Sequence, residues 1–429
     1  MPIIHNKELS RFIKDAYLPE DLQNIRNLLM RHGTFSFPVL PNGLFPAASF
    51  KTSNLYTGYG NVWVRDNIYI AYAHYLNGDT KTALKTVKTL ADYFTKNKWR
   101  FEKIISGELD CNEPMNRPHI RLNGNDLSEI PQKWAHAEND ALGYFIWFLC
   151  KIHNEQNIVM TAEECNLLPL FALYFKAIRY WEDEDSGHWE EARKVEASSI
   201  GVVVGGLTEL RALLGRKELF FPGCVSESIS GKFLEDLIAK GQKSLEAILP
   251  AECIQSDPRK NRCFDAALLF LIFPMNVVSE DMADKILNGV MSHLQREYGI
   301  CRYLNDSFWA ADYKDKLERK ELTIDFSDDI AKRDNLFKNS EEAQWCIFDP
   351  IISIIYGLKY EKYRRESDRK LQTYYFNRSL GQLTEEGSAF EALKCPELYY
   401  PKKGKFIPND AVPLLWTQAN LWMAFKSIN

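Results

Sequence analysis

Apolar residues recur at helical spacing over twelve stretches of the chain, at 20–31, 64–77, 80–96, 132–152, 161–181, 194–214, 231–247, 261–273, 280–298, 341–358, 361–376 and 411–427. Residues three and four apart on a helix share a face, so each stretch predicts a helix that buries at least one stripe. Two of the starts carry a short polar side chain able to bond the free N–H groups of a first turn: Asp79 ahead of TKTALKTVKTLADYF and Thr161 ahead of AEECNLL. Strict alternation is not sustained anywhere, so strands are not expected to build the architecture. Long loops separate the helices at 32–61, 98–131, 216–230, 249–260, 299–340 and 377–410. Loops of that length in a compact domain are commonly functional.

No Pro/Ser/Gly-rich linker or low-complexity tract divides the chain, which reads as one domain over 1–429 with 1–40 as an N-terminal lead-in. With 429 residues, 45% of them hydrophobic, it can bury a large core. A dozen helices in such a domain fit a two-layer helical barrel, six inner and six outer, whose inner-helix ends and connecting loops build one pocket. The lack of a fixed-period repeat argues against a solenoid. The net charge of -5 is spread over 53 basic and 58 acidic residues without long single-sign blocks. That pattern points away from nucleic acid and from an anionic membrane surface, and leaves a neutral or cationic small ligand or a neutral polymer.

Nine cysteines (Cys111, Cys150, Cys165, Cys224, Cys253, Cys263, Cys301, Cys346, Cys395) are scattered and never form CxxC. The spacing argues against a disulfide framework and a zinc site, and fits a reducing compartment. The opening MPIIHNKELSRFIKDAY has no apolar signal core, and no uncharged apolar run approaches a membrane span. ALGYFIWFLC at 141–150 and SSIGVVVGGL at 198–207 read as buried helix segments. A soluble cytoplasmic monomer is expected, the alternative being export by a signal-independent route into another cell's cytosol.

Several segments carry candidate chemistry. HWEEARK at 188–194 sets Glu190 and Glu191 beside the indole of Trp189, just before an apolar helix. Glutamates in a first turn often only favour the helix dipole, so the motif alone is ambiguous. In CPELYYPKKGKFIPNDAVPLLWTQANLW at 395–422, Glu397 stands ahead of two tyrosines and a loop leading to Trp416. Glycoside hydrolysis needs two carboxyl groups flanking the scissile bond, one protonated and one ionised. YTGYGNVWVRDNIYIAYAH at 56–74 puts Trp63, Arg65 and Asp66 at a helix start, as a structural ion pair or as donors and acceptors for sugar hydroxyls. KWAHAENDALGYFIW at 133–147 places Glu138, Asn139 and Asp140 inside an apolar helix, where they need partners or a wet pocket. GICRYLNDSFWA at 299–310 sets Arg302, Tyr303, Asp306 and Trp309 in a loop.

Taken in order, WVRD at 63–66, ND at 139–140, WEE at 189–191, CRY at 301–303 and PELYY followed by PLLW at 396–416 resemble glycoside hydrolase family 15, the glucoamylases, and within it the branch related to the phosphorylase kinase α and β subunits. The resemblance covers roughly 40–425. It implies an all-α (α/α)6 barrel, a six-hairpin toroid, whose pocket removes glucose from the non-reducing end of α-1,4 chains with inversion and without a metal or organic cofactor. By motif, Glu190 resembles the general acid and Glu191 its neighbour toward the next sugar. Arg65 and Asp66 match the pair that grips the terminal glucose, and Arg302 an arginine of the same subsite. Glu397 matches the base, with Leu398 after it as in the kinase-subunit branch and Glu385 and Glu386 as competing carboxylates nearby. Trp63, Asn139, Asp140, Trp189, Tyr303 and Trp416 join the substrate-binding set. Inversion implies roughly 6.5–9.5 Å between the two carboxyl groups, a raised pKa at Glu190 and polar neighbours that keep Glu397 ionised. The implied partner is an α-glucan: glycogen, starch or maltooligosaccharides. The competing readings are a non-catalytic glucan-binding regulatory protein and a disaccharide phosphorylase.

Overall fold

The two polar starts expected as caps act as such: the Asp79 carboxylate accepts from Thr82 N at 3.1 Å, and Thr161 exchanges bonds with Glu164 in a capping box. These caps open two of the twelve helices that build the two layers in a computed structural model, which describes residues 2–49, 58–220, 229–317 and 341–428; three further helices among the described residues, Lys7–Ser10, Trp99–Ile105 and Tyr313–Lys316, lie in the lead-in and in stretches expected as loops. The twelve are α1 (Pro19–Arg31), α2 (Val64–Leu76), α3 (Thr80–Lys96), α4 (Asn139–Gln156), α5 (Ala162–Ala177), α6 (Ala197–Leu214), α7 (Gly231–Ile248), α8 (Leu269–Ile272), α9 (Glu280–His293), α10 (Phe348–Tyr363), α11 (Glu366–Gly381) and α12 (Leu415–Ser427).

Every second helix lies inside. α2 packs on α4, α4 on α6, α6 on α8, α8 on α10, α10 on α12, and α12 returns to α2, which closes a ring of six. α3, α7, α9 and α11 each pack outside the inner helix they follow, and α5 packs on α3 and α4. At α1, the flanking Tyr17 and Phe35 reach α11 and α12, through Asn377 and Phe376 and through Trp422. This is the (α/α)6 barrel. Burial follows the layers: α2, α4 and α6 are buried on nearly every face, whereas α3 and α7 bury one stripe and expose charged residues. α4 and α6 approach backbone to backbone, because a Cβ on Gly206 would meet the Gly143 carbonyl oxygen at 2.8 Å.

α6 is the one helix among the described residues long and apolar enough to cross a membrane, and it forms an inner wall of the barrel. Two short sheets cap the ring. Strand β1 (Val62–Trp63) pairs antiparallel with β2 (Arg121–Leu122), and β3 (Gln344–Trp345), β4 (Leu398–Lys402) and β5 (Lys405–Pro408) form a second sheet in that order. β4 and β5 make a hairpin inside the 377–410 stretch expected as loop, turning at Lys403 and Gly404, both at positive φ.

One expectation fails here. Cys165, on α5, is disulfide-bonded, while Cys111, Cys150, Cys253, Cys263, Cys301, Cys346 and Cys395 are free. Scattered spacing hides a bridge made by folding rather than by sequence proximity, so cysteine usage does not argue for a wholly reduced protein. Cys224 falls outside the described residues.

Candidate active site

The pairing of β1 with β2 sets Trp63 opposite Arg121, and the chain turns from Trp63 straight into α2, leaving Arg65 and Asp66 in its first turn. Arg65 is buried and donates through Nη1 to Glu138 at 3.0 Å and to Asp140 at 2.8 Å, and through Nη2 to Glu190 at 3.1 Å. One cation thus faces three carboxyl groups, with Asp66 beside them. Burial lifts the Asp66 carboxyl to about 7; Arg65 opposes the rise, and the charges of Glu190 and Asp140 add to it. Burial, with Glu190 next, also raises Glu138 well above the usual carboxylate range.

Glu138, Asn139 and Asp140 open α4 rather than lying inside it: the helix begins at Asn139, and Glu138 is its capping position. The apolar residues of 132–138 extend the helical pattern in the sequence, but there the chain makes tight turns, with His136 N bonded to the Trp134 carbonyl and Glu138 N to that of His136. Asp140 faces Arg65. Asn139 turns elsewhere, its amide donating to Asp183 and its backbone N–H to Asp185, each at 2.9 Å.

Glu190 and Glu191 precede the start of α6 and so are not part of its first turn. A short turn over Gly187–Trp189 ends at Glu190, held in the left-handed region with φ 57°. That conformation costs a non-glycine residue about 1–2 kcal/mol, and the surroundings impose it. The Trp189 indole N–H bonds Asp265 at 3.0 Å. The His188 ring bridges Tyr144 Oη at 3.0 Å and Ser198 Oγ at 3.1 Å, and the Ser198 hydroxyl donates to Glu252 at 2.6 Å. The two adjacent carboxylates diverge. Glu190 meets Arg65, whereas Glu191 meets Arg262 at 2.9 Å, Arg302 at 3.2 Å and the Tyr303 hydroxyl. Arg302 is also bonded twice to Asp306, at 2.6 and 2.7 Å, and lies against the rings of Trp189 and Trp345.

Glu397 sits immediately before β4, 3% exposed. Its Oε1 accepts from the Tyr59 hydroxyl at 2.8 Å, and its Oε2 accepts from the Asn409 amide across the β4–β5 hairpin. The polar neighbours expected of a base are present. Burial nonetheless dominates and raises this carboxyl to about 7, against the lowering effect of both hydrogen bonds and of Arg302. Asp66 acts electrostatically on Glu397 and on Glu190, and Tyr59 responds to all three, so these groups lie within electrostatic reach of one another at the same end of the barrel. Glu385 and Glu386 are exposed. Trp416, in the first turn of α12, lies 5.5 Å from the Arg65 guanidinium and packs on Tyr69 and Phe270.

The site residues therefore fall at, or in the loops leading to, the N-terminal ends of inner helices, where a closed ring leaves an opening. Tyr59, Asn409, Arg262 and Arg121 were not singled out from the sequence. A tyrosine in a Gly-rich loop carries no signal, but Gly404 in YPKKGKF marks the hairpin turn that would have brought Asn409 beside Glu397. Among the described residues no group of three or more His, Cys, Asp or Glu side chains is placed to hold a metal ion.

Residues 26–322 match the family model described as glycosyl hydrolases family 15. Curated relatives include the liver isoform of the phosphorylase b kinase regulatory subunit alpha of Mus musculus, 25% identical over 274 residues, 58% of this chain and 21% of that protein. A probable phosphorylase b kinase regulatory subunit alpha of Caenorhabditis elegans is 23% identical over 405 residues, 84% of this chain and 30% of that protein. The chain thus spans less than a third of those subunits' length. Among solved structures, a wild-type glycosidase superposes with a TM-score of 0.66 at 15% identity, over 96% of this chain and 99% of that one. The glucoamylase of Saccharomycopsis fibuligera superposes with a TM-score of 0.59 at 12% identity, over 97% and 96%. At these identities the structural likeness establishes the barrel fold.

Proposed function

The chain belongs to glycosyl hydrolases family 15, and we propose that it is an exo-acting, inverting α-glucan hydrolase that releases glucose, with Glu190 as general acid and Glu397 as general base. The observation that carries this reading is the unequal support of the two carboxyls at one end of the barrel. Glu397 is sealed between a hydroxyl and an amide, while Glu190 keeps 19% of its side chain exposed on a strained turn held by Arg65. Arg65 favours the ionised form of Glu190 and burial the protonated form of Glu397, so the roles rest on the family motifs, and Glu190 acts as acid only once the bound sugar draws Arg65 away.

In this mechanism Arg65 and Asp66 hold the terminal glucose through strong charge-assisted hydrogen bonds. Glu190 gives its proton to the glycosidic oxygen as the bond from that oxygen to the anomeric carbon breaks. Glu397 takes a proton from a water that attacks the anomeric carbon from the opposite face. The products are β-glucose and a chain one unit shorter. The attacking water needs roughly 6.5–9.5 Å between the two carboxyl groups, and a gap of about 5 Å would instead favour retention. Glu191 then faces the next sugar, Arg302 joins Arg65 and Asp66 at the terminal glucose with Tyr303 beside it, and Trp189 and Trp416 supply flat apolar surface for pyranose faces. The proposed substrates are glycogen, starch and maltooligosaccharides, acted on by a monomer.

The regulatory subunits among the relatives motivate a second reading, a barrel that binds glucan without cleaving it. Glucose release from maltotriose separates the two. We expect turnover by the native chain and a fall of about 100- to 10,000-fold in both Glu190→Gln and Glu397→Gln, with sugar affinity largely kept. A native protein that binds maltotriose and releases nothing is a binding protein, and turnover that requires added phosphate is a phosphorylase.

A further inference from the structure

His188, two residues before the acid, is a buried titratable group that the proposed mechanism leaves unused. It stands in the middle of a hydrogen-bonded relay that joins three inner helices to the turn bearing Glu190. Tyr69 Oη on α2 meets Tyr144 Oη on α4 at 2.9 Å, and Tyr144 Oη meets His188 Nε2 at 3.0 Å. On the other side of the ring, His188 Nδ1 meets Ser198 Oγ on α6 at 3.1 Å, and Ser198 Oγ meets Glu252 Oε1, beyond α7, at 2.6 Å. All five residues are at most 2% exposed. The plane of the imidazole is fixed as well, stacked on Phe270 of α8 with centroids 5.1 Å apart and 21° between the rings.

The hydrogen count along the relay fixes its direction. Run toward Glu252, every proton has an acceptor: Tyr69 donates to Tyr144, Tyr144 to Nε2, Nδ1–H to Ser198, and Ser198 to a carboxyl oxygen that accepts whether or not the other oxygen carries a proton. Run the other way, the Tyr69 hydroxyl proton is stranded in the core, because among the described residues Tyr69 has no other hydrogen-bond partner. Burial keeps the ring neutral, its pKa lowered to about 4 against the pull of Asp140. The neutral ring therefore carries its proton on Nδ1 and presents a bare Nε2. Asp140 Oδ2 lies 3.6 Å from that nitrogen and 2.8 Å from Arg65 Nη1, while Arg65 Nη2 meets Glu190. A bare nitrogen offers Asp140 no proton, so this carboxylate stays with Arg65. His188 thus reaches the acid by two routes: through the backbone of its own turn, which holds Glu190 at φ 57°, and through Asp140 and Arg65.

We propose that His188, fixed by Tyr144, Ser198 and Glu252, is a positioning residue that aims Glu190 at the departing oxygen. This rests on the hydrolase reading above. The test compares maltose, whose leaving sugar needs a proton from the acid, with α-glucosyl fluoride, whose fluoride ion leaves without one. His188→Phe keeps a flat ring on Phe270 and removes both hydrogen bonds. Its kcat on maltose should fall about 10- to 100-fold, the cost of displacing the acid by about 1 Å, with KM and the rate on the fluoride each changed by less than about threefold. Ser198→Ala withdraws only the acceptor at Nδ1 and should show a smaller loss with the same selectivity; it carries the test if the phenylalanine variant does not fold. Glu190→Gln, the reference for a lost acid, should show that selectivity with a larger loss. Equal losses on both substrates in the His188 and Ser198 variants, or no loss on maltose, would overturn the positioning role while leaving the hydrolase reading intact. Equal losses in Glu190→Gln, or a native chain that cleaves neither substrate, would remove the acid and this role together.

Discussion

At Glu397 burial and hydrogen bonding act in opposite directions on one proton, and burial prevails, with the carboxyl lifted to about 7. A base works only when ionised, so the sign follows. The rate of the native chain should fall as pH drops through about 7, and the acid limb should lie well above the ordinary glutamate range near 4.3. Asn409→Ala removes a donor that favours the carboxylate, and should move that limb to still higher pH, as read from kcat/KM profiles between pH 5 and 9. A limb near pH 4, unmoved in the variant, would contradict Glu397 as the base. The chemistry of single residues was legible in the sequence only as candidates. WEE, WVRD and CRY stood out because charged groups flanked indoles in otherwise apolar stretches. The partners that set the behaviour of Glu397 did not: Tyr59 is 338 positions away and Asn409 stands across a hairpin.

At the scale of elements, the periodic stretches all correspond to helices, because an amphipathic or buried helix writes its period directly into the sequence. Boundaries and irregular segments were less legible. The apolar character of 132–138 and 341–347 comes from lining the barrel end in turns and in β3, and not from helix. The turn bearing the acid is the most constrained of these irregular pieces. Gly187, at φ +55°, faces Glu196 so closely that an added Cβ would overlap the Glu196 carboxylate, itself bonded to Lys194 at 2.8 Å. Gly187→Ala should therefore lower stability by about 1–3 kcal/mol, through a costly left-handed φ and a steric clash. Because Glu190 closes the same turn, kcat should fall together with Tm. Thermal melting and initial rates measured side by side check this; an alanine variant with native Tm and native kcat would show that the turn does not fix the acid.

For the molecule as a whole, six inner helices closing from α12 back to α2 bring segments from positions 59 to 416 to one end of a ring. That closure is what lets residues far apart in sequence lie near one another, and it is a tertiary property that periodicity alone does not encode. The order of the motifs implies the barrel through the family it resembles. The disulfide at Cys165 escaped the sequence for the same reason that the closure did. Whether this barrel positions one acid and one base across a scissile α-glucosidic bond is read from proton NMR of the anomeric signals. The native chain is mixed with maltotriose and, separately, with glycogen, with Glu190→Gln as control. β-Glucose should appear first, ahead of mutarotation, and the control should release none. Initial release of α-glucose, or equal release by the Glu190→Gln protein, would contradict that arrangement of acid and base.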